Sequence, residues 1–367
     1  MGAPSRIVIA ADVLRPLPGT PGASATRANT RWLHALLDWP LRRACPLPVQ
    51  AIAWGDGFDA DRFYRLMGAT PDLDAWAALH FAPTLPATAD AMVAEAFAGA
   101  VVIGVELPPC LVASLTRAGI PVIDTVGTPL RFLDDVLNAW RTNRPDVHAR
   151  LSAHRFDDSN AWRQAGLIRA KSAWLAPLDV PAGAALVVGQ VGSDKALIHR
   201  HEGRLLSFAD YLEPLFALAE RHGSVLYKPH PYDDAHGRSA AVIGRFRSFR
   251  AVRDNVYRLM CEPGLEAVYA ISSGCVDEAR YFGKRGERFY RPGPDIGADG
   301  RDDHGLLPAV PVDQAWLEPS FWRDVLVPLV EVLPGAEPAP PCRPHRIRRS
   351  LNADWGFLAI DQVVAAH

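Results

Sequence analysis

Short apolar runs alternate with helical spacings of apolar residues along the chain, and a break rich in proline and glycine at 175–183 divides this pattern into two halves. In the first half, 101–105 and 120–124 are apolar runs that predict buried strands. In the second half, a predicted helix at 207–222 leads directly into a predicted strand at 223–227. Such alternation is typical of parallel sheets covered by helices, and proline and glycine collect in linkers. The sequence therefore predicts an α/β fold with two Rossmann-like domains.

The predicted boundaries are 1–178 for the first domain, 179–333 for the second, and 334–367 for a proline-rich linker with a last helix. We expect this last helix, at about 353–366, to pack back on the first domain. We also predict helices at 132–140 and at 276–282. Open parallel sheets bind ligands beyond the carboxyl ends of their strands, so the cleft between the two domains is the expected site. Many enzymes share this layout, and the fold alone names no reaction.

The charges of the 367 residues are nearly balanced, with 39 Lys and Arg against 41 Asp and Glu. Nucleic-acid binding usually needs a marked basic excess, so we expect no nucleic-acid partner. The five cysteines are scattered without a Cys-X-X-Cys pair, which gives no indication of a zinc ribbon or a redox dithiol. We interpret them as buried small hydrophobes in a reducing compartment.

The N-terminal segment lacks the long apolar region of a secretory signal, and no stretch approaches the roughly 18 to 20 apolar residues of a membrane span. The expected location is the cytoplasm, with peripheral contact at the inner membrane left open. The stretch 343–349 carries four arginines that would attract an anionic membrane surface. A solvated stretch is the interpretation we favour there, because four charges give only modest attraction. The sequence does not indicate an oligomeric state.

A rigid segment, Lys228-Pro-His230-Pro231, follows the predicted strand at 223–227. Each proline fixes its own φ and restricts the residue before it, so we expect the Lys and His side chains to be held at the carboxyl end of the strand. A cation beside an imidazole suits a phosphate or a carboxylate ligand. The alternative is a proline-rich turn with solvated charges.

Ser272 and Ser273 lie where another predicted strand leads into the helix that contains Glu278. Backbone N–H groups at the start of a helix bind anions, and the two hydroxyls add hydrogen-bond donors. Ordinary helix capping by serine explains the same pattern, so these serines alone are a weak indication.

Gln190, Asp194 and Lys195 follow the predicted strand at 185–189 and would protrude into the cleft. A glycine in this segment lets the backbone approach a ligand closely. Capping of the next helix is an equally acceptable explanation for Asp194.

In the first domain, Glu106 lies at a predicted strand end and is followed by two prolines after one residue. A carboxylate facing Asp194 across a cleft is what glycosyl transfer with two carboxylates needs. Asp134 and Asp135 lie farther along this domain, and we interpret both as surface charges.

Five motifs, taken in order, resemble those of the β-Kdo transferases, which are the KpsC-like and KpsS-like capsule polysaccharide proteins and the related retaining Kdo modules of O-antigen enzymes. These motifs are Gly-Gln190 with Asp194, Lys228-Pro-His230-Pro231, Asn255-Val-Tyr-Arg-Leu, Ile-Ser272-Ser273 with Glu278-Ala, and Phe-Gly-Lys284. The resemblance covers about 100–290 and is densest over 185–284. The His-Pro and Ser-Ser pair is also similar to that of bacterial sialyltransferases.

The resemblance implies a GT-B fold that binds CMP-β-Kdo mainly with the second domain and a glycan or glycolipid acceptor with the first. Lys228 and His230 would then meet the donor phosphate or the Kdo carboxylate. Ser272 and Ser273 would hold the CMP phosphate, and Glu278 would meet the ribose. The donor-binding set predicted in this way also includes Gln190 and Lys195.

The resemblance further implies a retaining transfer in bacterial surface polysaccharide synthesis, with Asp194 as the nucleophile. Glu106 is our candidate base for the acceptor hydroxyl, and His230 completes the predicted catalytic set. The scheme needs no cofactor and no metal, because Lys228, His230 and a helix dipole would neutralise the leaving phosphate. Two alternatives remain open: another cytidine-nucleotide transferase, either sialyltransferase-like or of the CDP-glycerol type, and an inactive GT-B module that binds glycan.

Overall fold

The computed structural model describes residues 2–20, 23–230, 238–335 and 342–355. Pro231, most of the predicted linker and nearly all of the predicted last helix lie outside these residues. The described chain is an α/β structure with two separate sheets that are mainly parallel, which confirms the predicted class.

The strands are β1 (Arg6–Ala10), β2 (Val49–Trp54), β3 (Gly57–Phe58), β4 (Ala100–Val105), β5 (Val122–Gly127), β6 (Asn138–Thr142), β7 (Ala184–Val188), β8 (Ile198–His199), β9 (Arg204–Leu205), β10 (Val225–Lys228), β11 (Phe249–Ala251), β12 (Leu265–Ala270), β13 (Arg285–Arg288) and β14 (Val310–Val312). The α-helices are α1 (Arg27–Ala44), α2 (Ala60–Leu66), α3 (Leu73–His80), α4 (Ala87–Ala96), α5 (Pro109–Arg117), α6 (Pro145–Ala153), α7 (Asp158–Ser172), α8 (Leu212–Arg221), α9 (Arg238–Ile243), α10 (Val256–Cys261), α11 (Cys275–Glu278), α12 (Pro319–Leu326) and α13 (Arg346–Trp355).

The first sheet has the strand order β14-β6-β5-β4-β1-β2-β3. Its pairs are parallel from β5 through β3, whereas β6 runs antiparallel to both β5 and β14. Along β1, Ile7 and Ile9 belong to one apolar cluster and Val8 and Ala10 to another. The strand is therefore buried on both faces, which explains its continuous apolar sequence.

The second sheet has the order β11-β10-β7-β12-β13, and all its pairs are parallel. The central strand β7 is buried along its whole length, with Ala185 and Val187 on one face and Leu186 and Val188 on the other. The strands β8 and β9 form a separate antiparallel pair. Three segments singled out in the sequence follow β7, β10 and β12, which are neighbours in this sheet.

The predicted helix at 132–140 is wrong, because this segment forms a loop that leads into β6. Its apolar residues have helical spacing because they alternate between two apolar cores, not because the segment is a helix. Phe132 and Leu137 pack in the cluster beneath the second sheet, whereas Val136 and Trp140 pack in the cluster of the first. The helix predicted at 276–282 is also shorter than expected, because α11 has only four residues and a 3-10 turn at Ala279–Phe282 follows it.

Three elements pack with the sheet on the other side of the predicted domain boundary. The helix α7, expected in the first domain, packs with the second sheet through Ala161 and Ala165. Conversely, β14 and α12, expected in the second domain, belong to the first sheet and its core. The proline-rich break at 175–183 separates α7 from β7, but it does not decide which core each flanking element joins.

The chain returns to the first sheet through α13, which contacts α1. Ile347 and Leu351 pack into the core beneath that sheet. The carboxylate of Asp135 accepts hydrogen bonds from the backbone N–H groups of Ile347 and Arg348, at 2.9 and 2.8 Å. Asp135 is thus buried, and its interpretation as a surface charge is wrong, although Asp134 is exposed as expected.

Candidate functional site

The carboxyl ends of β10, β7 and β12 meet at one edge of the second sheet. Gly189, directly after β7, donates from its backbone N to the Lys228 carbonyl oxygen at 2.8 Å. A Cβ at Gly189 would lie 2.9 Å from the Tyr227 hydroxyl and 3.2 Å from the His230 backbone N. The missing side chain therefore lets the Lys228–His230 segment approach the end of β7 closely.

Gln190 and Ser272 bind each other across this edge. The Gln190 amide nitrogen lies 3.0 Å from the Ser272 hydroxyl, and its amide oxygen accepts from the Ser272 backbone N at 2.8 Å. Both side chains are buried. The structure thus brings together two predicted donor-binding residues, but it uses their polar groups to join β7 to β12.

Lys228 is partly buried at the end of β10, and its ammonium donates to the Arg253 carbonyl oxygen at 3.3 Å. Burial lowers its pKa, although the negative charge of Asp254 opposes the shift. Two residues farther on, His230 is half-buried. The predicted Lys and His therefore both lie at the strand end, while Pro231 lies outside the described residues.

Ser273 precedes α11 and accepts a long hydrogen bond from the Cys275 backbone N, at 3.4 Å. Because α11 has only four residues, the helix-dipole part of the predicted anion site is weaker than the sequence indicated. Burial raises the pKa of Cys275 to about 12, with Glu278 adding to the shift and Lys228 opposing it.

Glu278 is fully buried, and its carboxylate accepts from the Phe132 backbone N at 3.3 Å and from the Tyr257 hydroxyl at 3.0 Å. It also accepts from the Arg131 backbone N. Burial raises its pKa to about 7, and these hydrogen bonds limit the rise. Since protein donors surround the carboxylate, this arrangement does not favour the predicted contact between Glu278 and a ribose.

Asp194 caps the 3-10 turn at Lys195–Leu197, with its Oδ1 atom accepting from the Ala196 backbone N at 2.9 Å. The next residue, Lys195, reaches across to the first sheet and pairs with Glu106, Nζ to Oε2, at 3.0 Å. The structure therefore brings the predicted nucleophile and the predicted base to the same junction between the two sheets.

Glu106, directly after β4, has a φ of 57°, a left-handed conformation that is rare for residues other than glycine. The turn is anchored, because the backbone N of Glu106 donates to the Thr125 carbonyl oxygen at 2.8 Å and that of Leu107 to Asp124 at 3.0 Å. Burial opposes ionisation of Glu106, but Lys195, with Arg131 and Arg15, outweighs it and lowers the pKa. Strained residues of this kind cluster at active sites.

Arg15 is a residue of this junction that the sequence did not indicate. Its Nη2 atom donates to the Ser193 carbonyl oxygen at 2.7 Å, and its guanidinium lies 4.9 Å from the centre of the Trp76 ring. Trp76 in turn donates to the buried carboxylate of Asp12, at 2.8 Å. A signal was available, because Asp12 and Arg15 follow the apolar strand β1 just as Glu106 follows β4.

A cleft of ≈1190 Å³ lies beside this junction, between 16–20 and 70–74 on one side and 204–208 on the other. Its lining includes Gln190, Gly192 and Ser193 but neither Lys228 nor Ser273. The cleft and the predicted anion site are therefore adjacent rather than identical. The volume of a cleft does not identify reacting groups, so the charged residues are the better guide to the position of the reaction.

Within the described residues, no group of three or more His, Cys, Asp and Glu side chains is arranged to hold a metal ion. In that same part of the chain, no helix combines the length and apolar character needed to cross a membrane. Two arginines of the basic stretch 343–349 make contacts within the protein. Arg346 pairs with Glu318 at 2.8 Å, and Arg348 is buried and donates to the Leu133 carbonyl oxygen.

Comparison with models of known protein families gives no match for this chain, and comparison with curated proteins gives none. Among solved structures, the chain is similar to Thermosulfurimonas dismutans KpsC, a beta Kdo 2,7 transferase, at 11% sequence identity and a TM-score of 0.39. The similarity covers 78% of this chain and 80% of that chain. The structural relationship between the two is distant.

Proposed function

We propose that this chain is a GT-B glycosyltransferase that transfers Kdo from CMP-β-Kdo to a glycan or glycolipid acceptor. One observation carries the proposal: the loop that bears Asp194, at the end of β7, contacts Glu106 at the end of β4 through Lys195, at 3.0 Å. Carboxylates from two different sheets thus lie at one junction beside a cleft. Glycosyl transfer with retention uses two carboxylates, one as nucleophile and the other as acid or base.

The donor phosphate and the sugar carboxylate would bind at the edge formed by β10, β7 and β12. Lys228 supplies a positive charge, His230 an imidazole and Ser273 a hydroxyl. A donor with two anionic groups fits this set better than a neutral sugar would. In this proposal Gln190 and Ser272 act by holding the strand ends in place, because each is already bonded to the other.

Transfer would proceed in two displacements. The Asp194 carboxylate attacks the anomeric carbon of Kdo, and the bond to the CMP phosphate breaks with release of CMP. The acceptor hydroxyl then attacks the same carbon, gives its proton to a carboxylate and releases Asp194. Since one oxygen of Asp194 accepts from the Ala196 backbone, the other oxygen is the one we assign to the attack.

Glu106 is the proposed proton acceptor for the second displacement. Its lowered pKa keeps it ionised near neutral pH, so it is ready to receive a proton. The same positive surroundings make it a weak base. We therefore expect Lys195 to move away from Glu106 when the acceptor binds.

The nucleotide-binding part of the proposal is tested by titrating CMP into the wild-type protein and into Lys228→Met. Loss of a charge-assisted contact with phosphate is expected to weaken CMP binding about tenfold or more. Lys284→Met is the matched control, because Lys284 is also partly buried and its ammonium also donates to backbone carbonyl oxygens, at 2.8 Å. Equal CMP affinity in both variants, or no CMP binding by the wild type, would overturn the proposed donor site.

The products distinguish the proposed reaction from its alternatives. If NMR shows that Kdo is transferred with retention of the anomeric configuration, the proposed reaction is supported. Use of a different cytidine-activated donor would indicate another transferase of this general type. Binding of glycan without any turnover would indicate the inactive module.

A further inference from the structure

The surface of α7 and the turn after it expose large apolar side chains among positive charges. Trp174 is 91% exposed, Leu167 60% and Trp162 49%. Arg163, Arg169 and Lys171 are exposed on the same stretch. We call this surface, comprising these six residues, the tryptophan face.

The tryptophan face is not needed to hold α7 in place. The opposite side of the helix packs on the core of the second sheet through Ala161 and Ala165. Trp162 makes one ring contact with Tyr281, at 4.7 Å between centroids, which leaves half of its surface exposed. The packing of α7 on the second sheet therefore does not use the side chains of Leu167 and Trp174.

Further positive charge lies beside Trp174. Arg258 donates to the Ala176 carbonyl oxygen at 2.8 Å, and Arg250 pairs with Asp179 at 3.4 Å. The acidic residues nearby are Asp157, Asp158, Asp179 and Glu262. Asp158 contacts Arg280, Asp179 contacts Arg250, and Glu262 accepts from the Leu178 backbone N at 3.0 Å. Basic groups thus outnumber acidic ones around the apolar side chains.

We propose that the tryptophan face binds the surface of an anionic lipid bilayer. Trp side chains favour the interface between lipid and water, and Arg and Lys beside them attract anionic headgroups. The six side chains lie on the exposed side of a helix and on the turn that follows it. Three exposed apolar side chains, at about 200 Å² each, also supply less area than the roughly 800 Å² per partner of a stable protein interface.

This surface replaces 343–349 as the membrane-binding candidate, because Arg348 is buried and Arg346 is paired with Glu318. The proposal does not depend on the proposed transferase activity. It would nevertheless suit an enzyme whose acceptor is a glycolipid.

The test is co-sedimentation with vesicles of phosphatidylcholine mixed with phosphatidylglycerol, and with vesicles of phosphatidylcholine alone. We expect the wild-type protein to bind the anionic vesicles, and binding to weaken as salt is added. The double variant Leu167→Ala with Trp174→Ala should bind about tenfold more weakly, since two large apolar side chains no longer enter the interface. A second variant, Arg163→Glu with Arg169→Glu, should lose the preference for anionic vesicles.

Trp39→Ala is the matched control, because Trp39 is 55% exposed on α1 at a different surface. It should bind vesicles as the wild type does, and circular dichroism should show that all variants are folded. Failure of the wild type to bind anionic vesicles, or unchanged binding by the double variant, overturns the proposal. The proposal is also overturned if the wild-type protein is a dimer that binds no vesicles and the double variant is a monomer. The tryptophan face would then join two copies of the chain.

Discussion

The Glu278 carboxylate connects the second sheet to the loop that precedes β6 in the first half of the chain. Two backbone N–H groups, of Arg131 and Phe132, and the Tyr257 hydroxyl donate to it. Burial nevertheless disfavours its charge and raises its pKa to about 7. A group that connects two parts of the fold therefore changes its protonation near neutral pH, so its contribution to stability depends on pH.

Replacing Glu278 with Gln should remove a pH dependence of folding stability. In the unfolded chain this carboxyl ionises near its ordinary pKa of 4.5, whereas in the folded chain it ionises at about 7. The protonated carboxyl therefore contributes its full stabilisation below about pH 4.5. This contribution falls by about 3 kcal/mol as the pH rises to about 7. Urea unfolding of the wild type and Glu278→Gln across this window measures it. A difference between the two proteins that stays constant with pH would contradict the raised pKa.

Single residues could be assigned to the site from sequence only where position along a strand decides their place. Lys228 ends a strand, and Asp194 and Glu106 each follow one, so their position at a sheet edge was predictable. The bond between Gln190 and Ser272 was not, because it depends on which strands are neighbours. The burial of Glu278 was not predictable either, since its partners come from a segment 146 residues away.

Among the elements, α11 and the turn before it contact a loop from the first half of the chain. A Cβ built on Gly274 would lie 2.6 Å from the Pro129 Cβ and 2.9 Å from its Cα. The absence of a side chain at Gly274 thus permits contact between this turn and the 127–132 loop. Ser273, the proposed phosphate ligand, is part of the same turn.

Gly274→Ala should displace this turn and destabilise the fold by about 1–3 kcal/mol, because the added methyl group meets backbone atoms that cannot move freely. Gly166→Ala is the control, since a Cβ there, within α7, would meet nothing within 4 Å. That change should be neutral or stabilising by up to about 1 kcal/mol. Urea unfolding gives both values, and equal stability of the two variants would show that the close approach is not restrictive.

Most long elements were predictable from apolar spacing, and the exceptions have a physical cause. Residues 132–140 look helical because Phe132, Val136 and Trp140 recur at four-residue intervals. They face different cores, however, and the segment ends in β6. The spacing of apolar residues along the sequence indicates which residues are buried. It does not indicate which sheet they pack against.

At the scale of the whole molecule, the end of the described chain closes the first sheet. The edge strand β14 pairs with β6, and α12 and α13 both pack against α1. Asp135 fixes α13 by accepting from the backbone of Ile347 and Arg348 and from the Gln314 amide, at 2.6 Å. The two sheets were predictable from the alternation of strands and helices. A return was predicted only for a helix at about 353–366, and the return through β14, α12 and α13 was not, because short segments such as β14 carry little signal of the core they join.

Asp135→Ala should destabilise the protein by about 2–4 kcal/mol, because several buried N–H groups lose their acceptor at once. Asp134→Ala is the neighbouring control, and we expect it to cost well under about 1 kcal/mol since Asp134 is exposed. Thermal and urea unfolding of the two variants measure the difference. If Asp135→Ala were as stable as Asp134→Ala, the contact with α13 would contribute little to the fold.

The most direct test of the proposed reaction is intact-mass analysis of the protein after incubation with CMP-Kdo. We predict a covalent Kdo adduct on the wild type that is absent from Asp194→Ala. Asp313→Ala is the matched control, because Asp313 also caps a 3-10 turn, accepting from the Ala315 backbone N at 2.9 Å. The control should keep the adduct. Release of CMP without an adduct on the wild type, or an adduct that persists in Asp194→Ala, would contradict the assignment of Asp194 as the nucleophile.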